Sequence, residues 1–284
     1  MRAIAQAKVN LRLRVLAREA SGFHQLETIF LRLTLADEVT VRTGGHGRTL
    51  DSRGADTGPT ERNLAYRAAM ALREAGGPDT FAIEIEKRIP VGAGLGGGSA
   101  DAAAVLRALN AQVAHPLPEE RLMAIAARLG ADVPFLASRA VMALAWGRGE
   151  RMLALDPPPS RPVVLLVPPF PISTADAYGW LDDVAGPPPM EPRLWHPDEL
   201  SGWPALSTLA HNDFERVVAA RHPEINQLVK ALRSIGASPA MLSGSGSAVF
   251  GVVDPDSVAT LSDDVARVMF TETAISVEEV TETA

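Results

Sequence analysis

The stretch from Pro90 to Leu106, P-V-G-A-G-L-G-G-G-S-A-D-A-A-A-V-L, limits what this chain can fold into more than any other. Five glycines fall between Gly92 and Gly98, and Ser99 follows them. An alanine-rich run then puts apolar residues at Ala102, Val105, Leu106, Leu109 and Val113, a helical spacing. Upstream, Phe81 to Glu86 alternates as a strand does. The local order is strand, glycine loop, helix. Glycine tolerates positive φ and carries no Cβ, so the backbone can wrap closely round a ligand. The helix adds free N–H groups and the positive end of its dipole. Together they read as an anion site, most naturally for phosphate. No lysine follows the glycines, so the G-x-x-x-x-G-K-[ST] phosphate loop is absent. Gly92, Gly94 and Gly97 satisfy G-x-G-x-x-G, but a dinucleotide site needs a strand with an acidic ribose ligand next. Here a second helix follows, with Glu119 and Glu120 in its first turn, and the dinucleotide reading is rejected.

Composition narrows the class. The 284 residues are 46% hydrophobic, enough for one large domain or two intimate ones. A net charge of −7 without a long basic stretch argues against a nucleic-acid surface. With no cysteine there are no disulfides, thiolate metal sites or thiol nucleophiles, which fits a reducing compartment. None of the six histidines falls in an H-E-x-x-H or comparable metal spacing. The first residues lack the apolar core of a signal peptide, and no apolar run approaches the ~20 residues of a membrane span. The expectation is a cytoplasmic protein, a monomer or weak homodimer, with small-molecule partners and neither nucleic acid nor membrane.

In chain order, Lys8 to Val15 alternates strictly, with Val9, Leu11, Leu13 and Val15 on one face and Lys8, Asn10, Arg12 and Arg14 on the other. Taken alone this is a half-buried strand with a solvated polar face. Residues 24–41 continue as strand, and 44–60 read as a polar loop or hairpin tip. Asn63 opens a helix running to about Glu74, a role asparagine fills well as a cap. Pro118 starts another, which Gly130 ends. Asp132, just past that stop, is by position a turn residue. Asp156 to Pro162 is the best linker, Val163–Val167 a buried strand, and 186–205 irregular chain. Residues 224–235 are an amphipathic helix, Asp254 opens a last helix to about Phe270, and 275–280 are a final strand.

Several of these segments resemble the GHMP kinase family, named for galactokinase, homoserine kinase, mevalonate kinase and phosphomevalonate kinase. Pro90 to Ala100 is similar to that family's second motif, P-x-G-x-G-L-G-x-S-[SA], and Ser243-Gly-Ser-Gly-Ser to its third. A-K-V-N-L at 7–11 with Gly22-Phe23-His24, the triple glycine before Ser99, and G-A-D-V-P-F at 130–135 resemble the branch acting on a cytidyl-diphosphate sugar alcohol in the non-mevalonate isoprenoid route.

The resemblance covers essentially the whole chain and implies an α+β, two-domain fold with the active site in the cleft between domains. The expected boundaries are 1–155 for the ATP-binding half and 162–284 for the second. It implies ATP-dependent phosphorylation of the sugar alcohol's 2-hydroxyl, with Mg²⁺. Lys8 and Asp132 take the catalytic positions. Pro90, Val91, Gly92, Ala93, Gly94, Leu95, Gly96, Gly97, Gly98, Ser99 and Ala100 take the ATP loop, and Asn63 lies by the adenine. Asn10, Phe23, His24, Thr174 and Tyr178 take the substrate positions, Phe23 and Tyr178 as two walls around cytosine. Ser99 is a candidate Mg²⁺ ligand; the resemblance implies no other metal ligand from the protein. Two alternatives remain at this stage. One is a homoserine or mevalonate type of kinase from the same family, and the other is a nucleotide-binding protein without chemistry.

Overall fold

A computed structural model of the chain describes residues 1–184, 194–256 and 266–282. Two long strands dominate it. β1 (Arg2–Arg18) and β2 (His24–Thr43) pair antiparallel almost end to end. β3 (Arg48–Arg53) follows, then α1 (Leu64–Glu74), β4 (Phe81–Glu86), α2 (Gly97–Asn110), α3 (Glu119–Leu129), the five-residue α4 (Val133–Ala137), β5 (Met142–Gly147) and β6 (Arg151–Leu155). The second half holds β7 (Pro162–Val167), α5 (Thr174–Asp183), α6 (Trp203–Leu209), β8 (His211–Asn212), α7 (Asp213–Arg221), α8 (Glu224–Ser234), β9 (Ala240–Leu242), β10 (Val249–Val252) and β11 (Arg267–Glu272).

The strands form two sheets. A seven-stranded sheet runs β3-β4-β2-β1-β8, with β5 on β2 and β6 on β5, and a four-stranded sheet runs β11-β7-β10-β9. β4 and β5 share one edge of β2, at 38–43 and 26–31. β8 comes from the second half of the chain yet pairs parallel with β1 at Arg12 and Leu13. The chain end also returns to the first sheet, through bridges Leu33 to Thr273 and Arg2 to Thr281.

Strict alternation in β1 is broken. Its register against β2 shifts between Gln6 and Lys8, between Asn10 and Arg12, and between Val15 and Ala17. Such bulges bend a strand and re-aim its side chains. Here they bracket Lys8 and Asn10. The face expected to be solvated is covered: Lys8 is 3% exposed, and Asn10 and Arg12 are buried with it. The pattern recognised the strand but not what lies over it.

α2 is buried nearly all round, from Ala100 to Ala104 and on to Leu109, as its alanines predict for a slim helix packed between neighbours. Residues 48–53, expected as loop, are a strand. Their alternate side chains face solvent, so no apolar pattern marked them, and pairing with β4 makes the strand. The last expected helix cannot reach Phe270, because 267–272 is β11, bonded to β7; residues 257–265 lie outside the described part. Residues 275–280 form no ladder. The region expected to be irregular contains α6, with 185–193 outside the described residues.

α4 is too short to hold itself together. Its C-terminal carbonyls are bound instead by buried arginines. The Arg32 guanidinium donates to the carbonyls of Phe135 at 2.8 Å, Leu136 at 3.1 Å, Ser138 at 3.0 Å and Ala140 at 2.8 Å. Arg107 donates to Leu136 at 2.9 Å and to Ile4 at 3.2 Å. Burial pushes Arg32 down to about 9, which still leaves it a cation at neutral pH. Arg32→Met should leave these carbonyls unpaired and lower stability by about 3 kcal/mol. The measurement is the urea midpoint; an unchanged midpoint would show that other donors replace the guanidinium.

Candidate active site

A cavity of about 540 Å³ opens where the glycine loop, the middle of β1 and the start of α5 meet. Residues Pro90 to Ser99 line it without a break, with Lys8, Asn10, Asn63, Asp132, Thr174 and Tyr178. A wider groove of about 840 Å³ beside α7 and α8 contains none of these residues.

The loop's shape follows from its glycines. Gly92, Gly94 and Gly96 have φ near +71°, +76° and +74°. Gly96 caps α2, so Gly97 and Gly98 already lie in the helix's first turn with their N–H groups free of intrahelical partners. A Cβ on Gly94 would stand 2.1 Å from the Ser243 carbonyl oxygen, and one on Gly96 would stand 2.9 Å from Lys8 Cγ. Thus Gly94 lets the loop at 243–247 lie against the glycine loop, and Gly96 admits the lysine stem. Two further bonds tie the loops together: the Ser243 hydroxyl donates to the Gly94 carbonyl at 3.0 Å, and the Ala248 amide to Ala93 at 3.1 Å.

Lys8 is pinned at the centre. Its Nζ donates to Asn10 Oδ1 at 2.8 Å and to the Gly94 carbonyl at 3.1 Å, and it lies 3.2 Å from Asp132 Oδ2. Asn10 in turn donates to the Thr28 hydroxyl at 2.8 Å, which donates to the Arg12 carbonyl at 2.6 Å. Asp132 stands just before α4 without bonding its amides, and its carboxylate is partly open at the cavity wall. A carboxylate and a fixed ammonium facing a glycine-wrapped helix N-terminus make a set suited to moving a phosphoryl group, which needs positioned charge more than covalent chemistry.

The other expected residues fare differently. Asn63 caps α1, accepting from Ala65 N at 2.9 Å, and also lines the cavity. The Thr174 hydroxyl pairs with Ser245 at 3.0 Å. Tyr178 is half-buried, and burial pushes its phenol up to about 12, so it is neutral at working pH. Ala100 faces the core and does not line the cavity. Phe23 is 58% exposed on the turn between β1 and β2, under the Arg148 guanidinium at 4.1 Å. Tyr178 stacks instead on His24, with centroids 4.6 Å apart and planes 19° from parallel. The expected Phe23–Tyr178 sandwich is therefore not preassembled: one residue's offset at a turn puts the histidine, not the phenylalanine, against the tyrosine.

One buried cluster escaped sequence reasoning. Lys87 Nζ donates to Asp37 at 2.5 Å and to Asp101 at 2.8 Å, and Asp37 also accepts from the Arg88 and Ile89 amides at 2.6 and 2.8 Å. It ties the start of the glycine loop to the second turn of α2, so the loop's two ends are held together. Burial pushes Asp101 up to about 7 against the pull of Lys87. The three residues come from distant parts of the chain, and nothing local in the sequence marks them.

The pattern of the GHMP kinases N terminal domain matches residues 63–139, and that of the GHMP kinases C terminal matches 200–270. The 4-diphosphocytidyl-2-C-methyl-D-erythritol kinase of Geobacter sp. (strain M21) is 41% identical over 260 residues, covering 90% of each chain. The chain belongs to the GHMP kinases. Its similarity within them is to the 4-diphosphocytidyl-2-C-methyl-D-erythritol kinases. A crystal structure of 4-(cytidine 5'-diphospho)-2C-methyl-D-erythritol kinase superposes with TM-score 0.75 at 36% identity, covering 96% of this chain and 99% of that one. Homoserine kinase from Cytophaga hutchinsonii, at 17% identity and TM-score 0.64 over 98% of this chain and 95% of that one, shares the fold.

Gly96→Ala tests the packing of the lysine. The new methyl must displace the Lys8 stem, and a shift of about 1 Å in a catalytic group costs on the order of a hundredfold in rate. Steady-state kcat should fall by that order, and the urea midpoint should fall too, by the equivalent of about 1 kcal/mol or more, because alanine is strained at this positive φ. A wild-type kcat would show that the loop gives way instead.

Proposed function

We propose that this chain phosphorylates the 2-hydroxyl of 4-diphosphocytidyl-2-C-methyl-D-erythritol with ATP as donor, as the names of its relatives suggest. The observation that carries the reading is the Lys8–Asp132 pair, 3.2 Å apart, facing a helix N-terminus wrapped by five glycines. The free amides of Gly97, Gly98 and Ser99 and the dipole of α2 would bind the triphosphate, with Asn63 at the adenine end. Asp132 would accept the hydroxyl proton as oxygen attacks the γ-phosphorus. Lys8, held by Asn10 and the Gly94 carbonyl, would stabilise the negative charge on the transferred group. Because its position is set before substrate arrives, little reorganisation is needed during the step.

The cytidyl part is assigned to the α5 side of the cavity. Tyr178 supplies an apolar wall, Asn10, Thr174 and His24 supply polar contacts, and Phe23 on the exposed rim beside His24 would cover the base. Among the described residues no three carboxylates or histidines converge on a metal position. That donor set fits Mg²⁺, which keeps its waters and is held chiefly through substrate phosphates, with the Ser99 hydroxyl at the cavity wall as the protein's candidate ligand. When bound, Mg²⁺ neutralises phosphate charge. Among the described residues no helix is long and apolar enough to cross a membrane. We assign the enzyme to the cytoplasm, as a monomer or weak homodimer.

The test is ADP release with Mg-ATP and 4-diphosphocytidyl-2-C-methyl-D-erythritol. Wild-type protein should turn over, Asp132→Ala should not, and Lys8→Met should lose on the order of a hundredfold or more in kcat. Turnover on homoserine or mevalonate with none on the cytidyl compound would replace the substrate assignment. Wild-type rates in Asp132→Ala would remove the proposed base.

A further inference from the structure

We propose that Arg62 is a nucleotide-binding residue, the cation that meets the phosphates of ATP at the mouth of the cavity. This deepens the function proposed above and rests on its reading of the cavity as an ATP site.

Among the described residues four cations line the cavity: Lys8, Arg62, Lys87 and Arg148. Three of them already have carboxylates. Lys8 lies 3.2 Å from Asp132 Oδ2. Lys87 is shared by Asp37 and Asp101, at 2.5 and 2.8 Å. Arg148 binds Glu19 at the end of the β1–β2 turn, and that hydrogen bond holds the glutamate well below the usual carboxylate range. Arg62 alone of the four has no ion pair and no side-chain hydrogen bond among the described residues, and it is exposed.

The backbone beneath Arg62 is fixed. A short helical turn, Thr60–Arg62, is closed by the Asn63 amide, which donates to the Thr60 carbonyl at 3.1 Å. Buried Asn63 caps α1 and donates from Nδ2 to the Thr57 hydroxyl at 3.1 Å. Leu64 then packs on the first turn of α2: a Cβ on Gly98 would stand 3.8 Å from Leu64 Cδ1. Arg62 is thus two residues from the side chain that touches Gly98, on a wall shared with Gly97, Gly98 and Ser99. A free guanidinium on a fixed backbone beside a helix N-terminus is placed to reach an anion held there.

Charge accounting gives it that task. A triphosphate brings several negative charges into a cavity whose other cations are already compensated. The α2 dipole supplies only about half a charge. The whole chain carries a net charge of −7, which repels an anion from a distance. An unpaired guanidinium at the mouth offsets that repulsion where the nucleotide enters. Its planar fork also matches two phosphate oxygens, and no existing ion pair has to break first.

Calorimetric nucleotide binding tests this. Arg62→Gln removes the charge with no bonded partner to lose, so the urea midpoint should stay in place. ATP and ADP should each bind about tenfold more weakly, the worth of one charge-assisted hydrogen bond. Adenosine, which has no phosphate, should keep its affinity. Arg62→Lys should retain part of the ATP affinity, and Arg62→Glu should lose more than Arg62→Gln. The salt dependence of ATP binding should be flatter in Arg62→Gln, as one cation fewer is screened. The kcat and the Michaelis constant for the cytidyl substrate should stay within about twofold. Equal weakening of adenosine and ATP would put the guanidinium on the base and overturn the phosphate contact. A urea midpoint that falls along with the affinity for all three ligands would make Arg62 structural and overturn it too. Wild-type ATP affinity in both Arg62→Gln and Arg62→Glu would overturn the proposal while the ATP reading stands. A wild-type protein that binds neither ATP nor ADP would remove the ATP reading itself, and the role of Arg62 with it.

Discussion

The ammonium of Lys8 is the point on which the rest of the structure depends. A charge buried to 3% exposure must be surrounded by acceptors or it would be expelled or neutralised. It is met by Asn10 from its own strand, the Gly94 carbonyl from the glycine loop and the Asp132 carboxylate from the start of α4. Each acceptor belongs to a different element, so one cation sets the relation of sheet, loop and short helix. The bulges on either side of Lys8 and Asn10 aim both side chains at the loop. The arginines behind α4 hold the aspartate's helix from its far end.

The loop's glycines matter for contacts as much as for conformation. Gly94 is approached by the 243–247 loop from the second half of the chain, and Gly96 by the lysine stem. At either position a methyl group would collide with the element whose packing makes the site. The Lys87–Asp37–Asp101 cluster closes the loop at its base, beneath the helix N-terminus. Charges out of water are costly, and although each carboxylate meets the same ammonium, burial still pushes Asp101 upward. The loop thus sits on a rigid support and stays open only toward the cavity.

The first sheet's β1–β2 hairpin and the second half's α5 meet at His24, where a stacked ring and a carboxylate receive it. The positions proposed for phosphate transfer and for the base therefore lie on different stretches of one β1–β2 pair. Lys8 and Asn10 lie near the middle of β1, and His24 lies at the first residue of β2. That long, bulged ribbon sets the distance between them.

Much of this was legible in the chain itself. Gly92 to Ser99 marked a tight loop between a strand and a helix, because glycines without Cβ take the positive φ that such a loop needs. The alternation of 8–15 and the caps of α1 and α3 named their elements, since local periodicity and capping are properties of neighbouring residues. The significance of Lys8, Asp132 and His24 came from resemblance, as each alone reads as an ordinary strand, turn or loop residue. What only the tertiary structure decided is what lies against each element. The sequence carries no local mark of the cover over β1, of the partner that makes 48–53 a strand, or of the distant carboxylates around Lys87. Nor does it say that His24 rather than Phe23 meets Tyr178. Periodicity reports which faces of an element differ, whereas contacts between residues a hundred positions apart are set by how the elements pack.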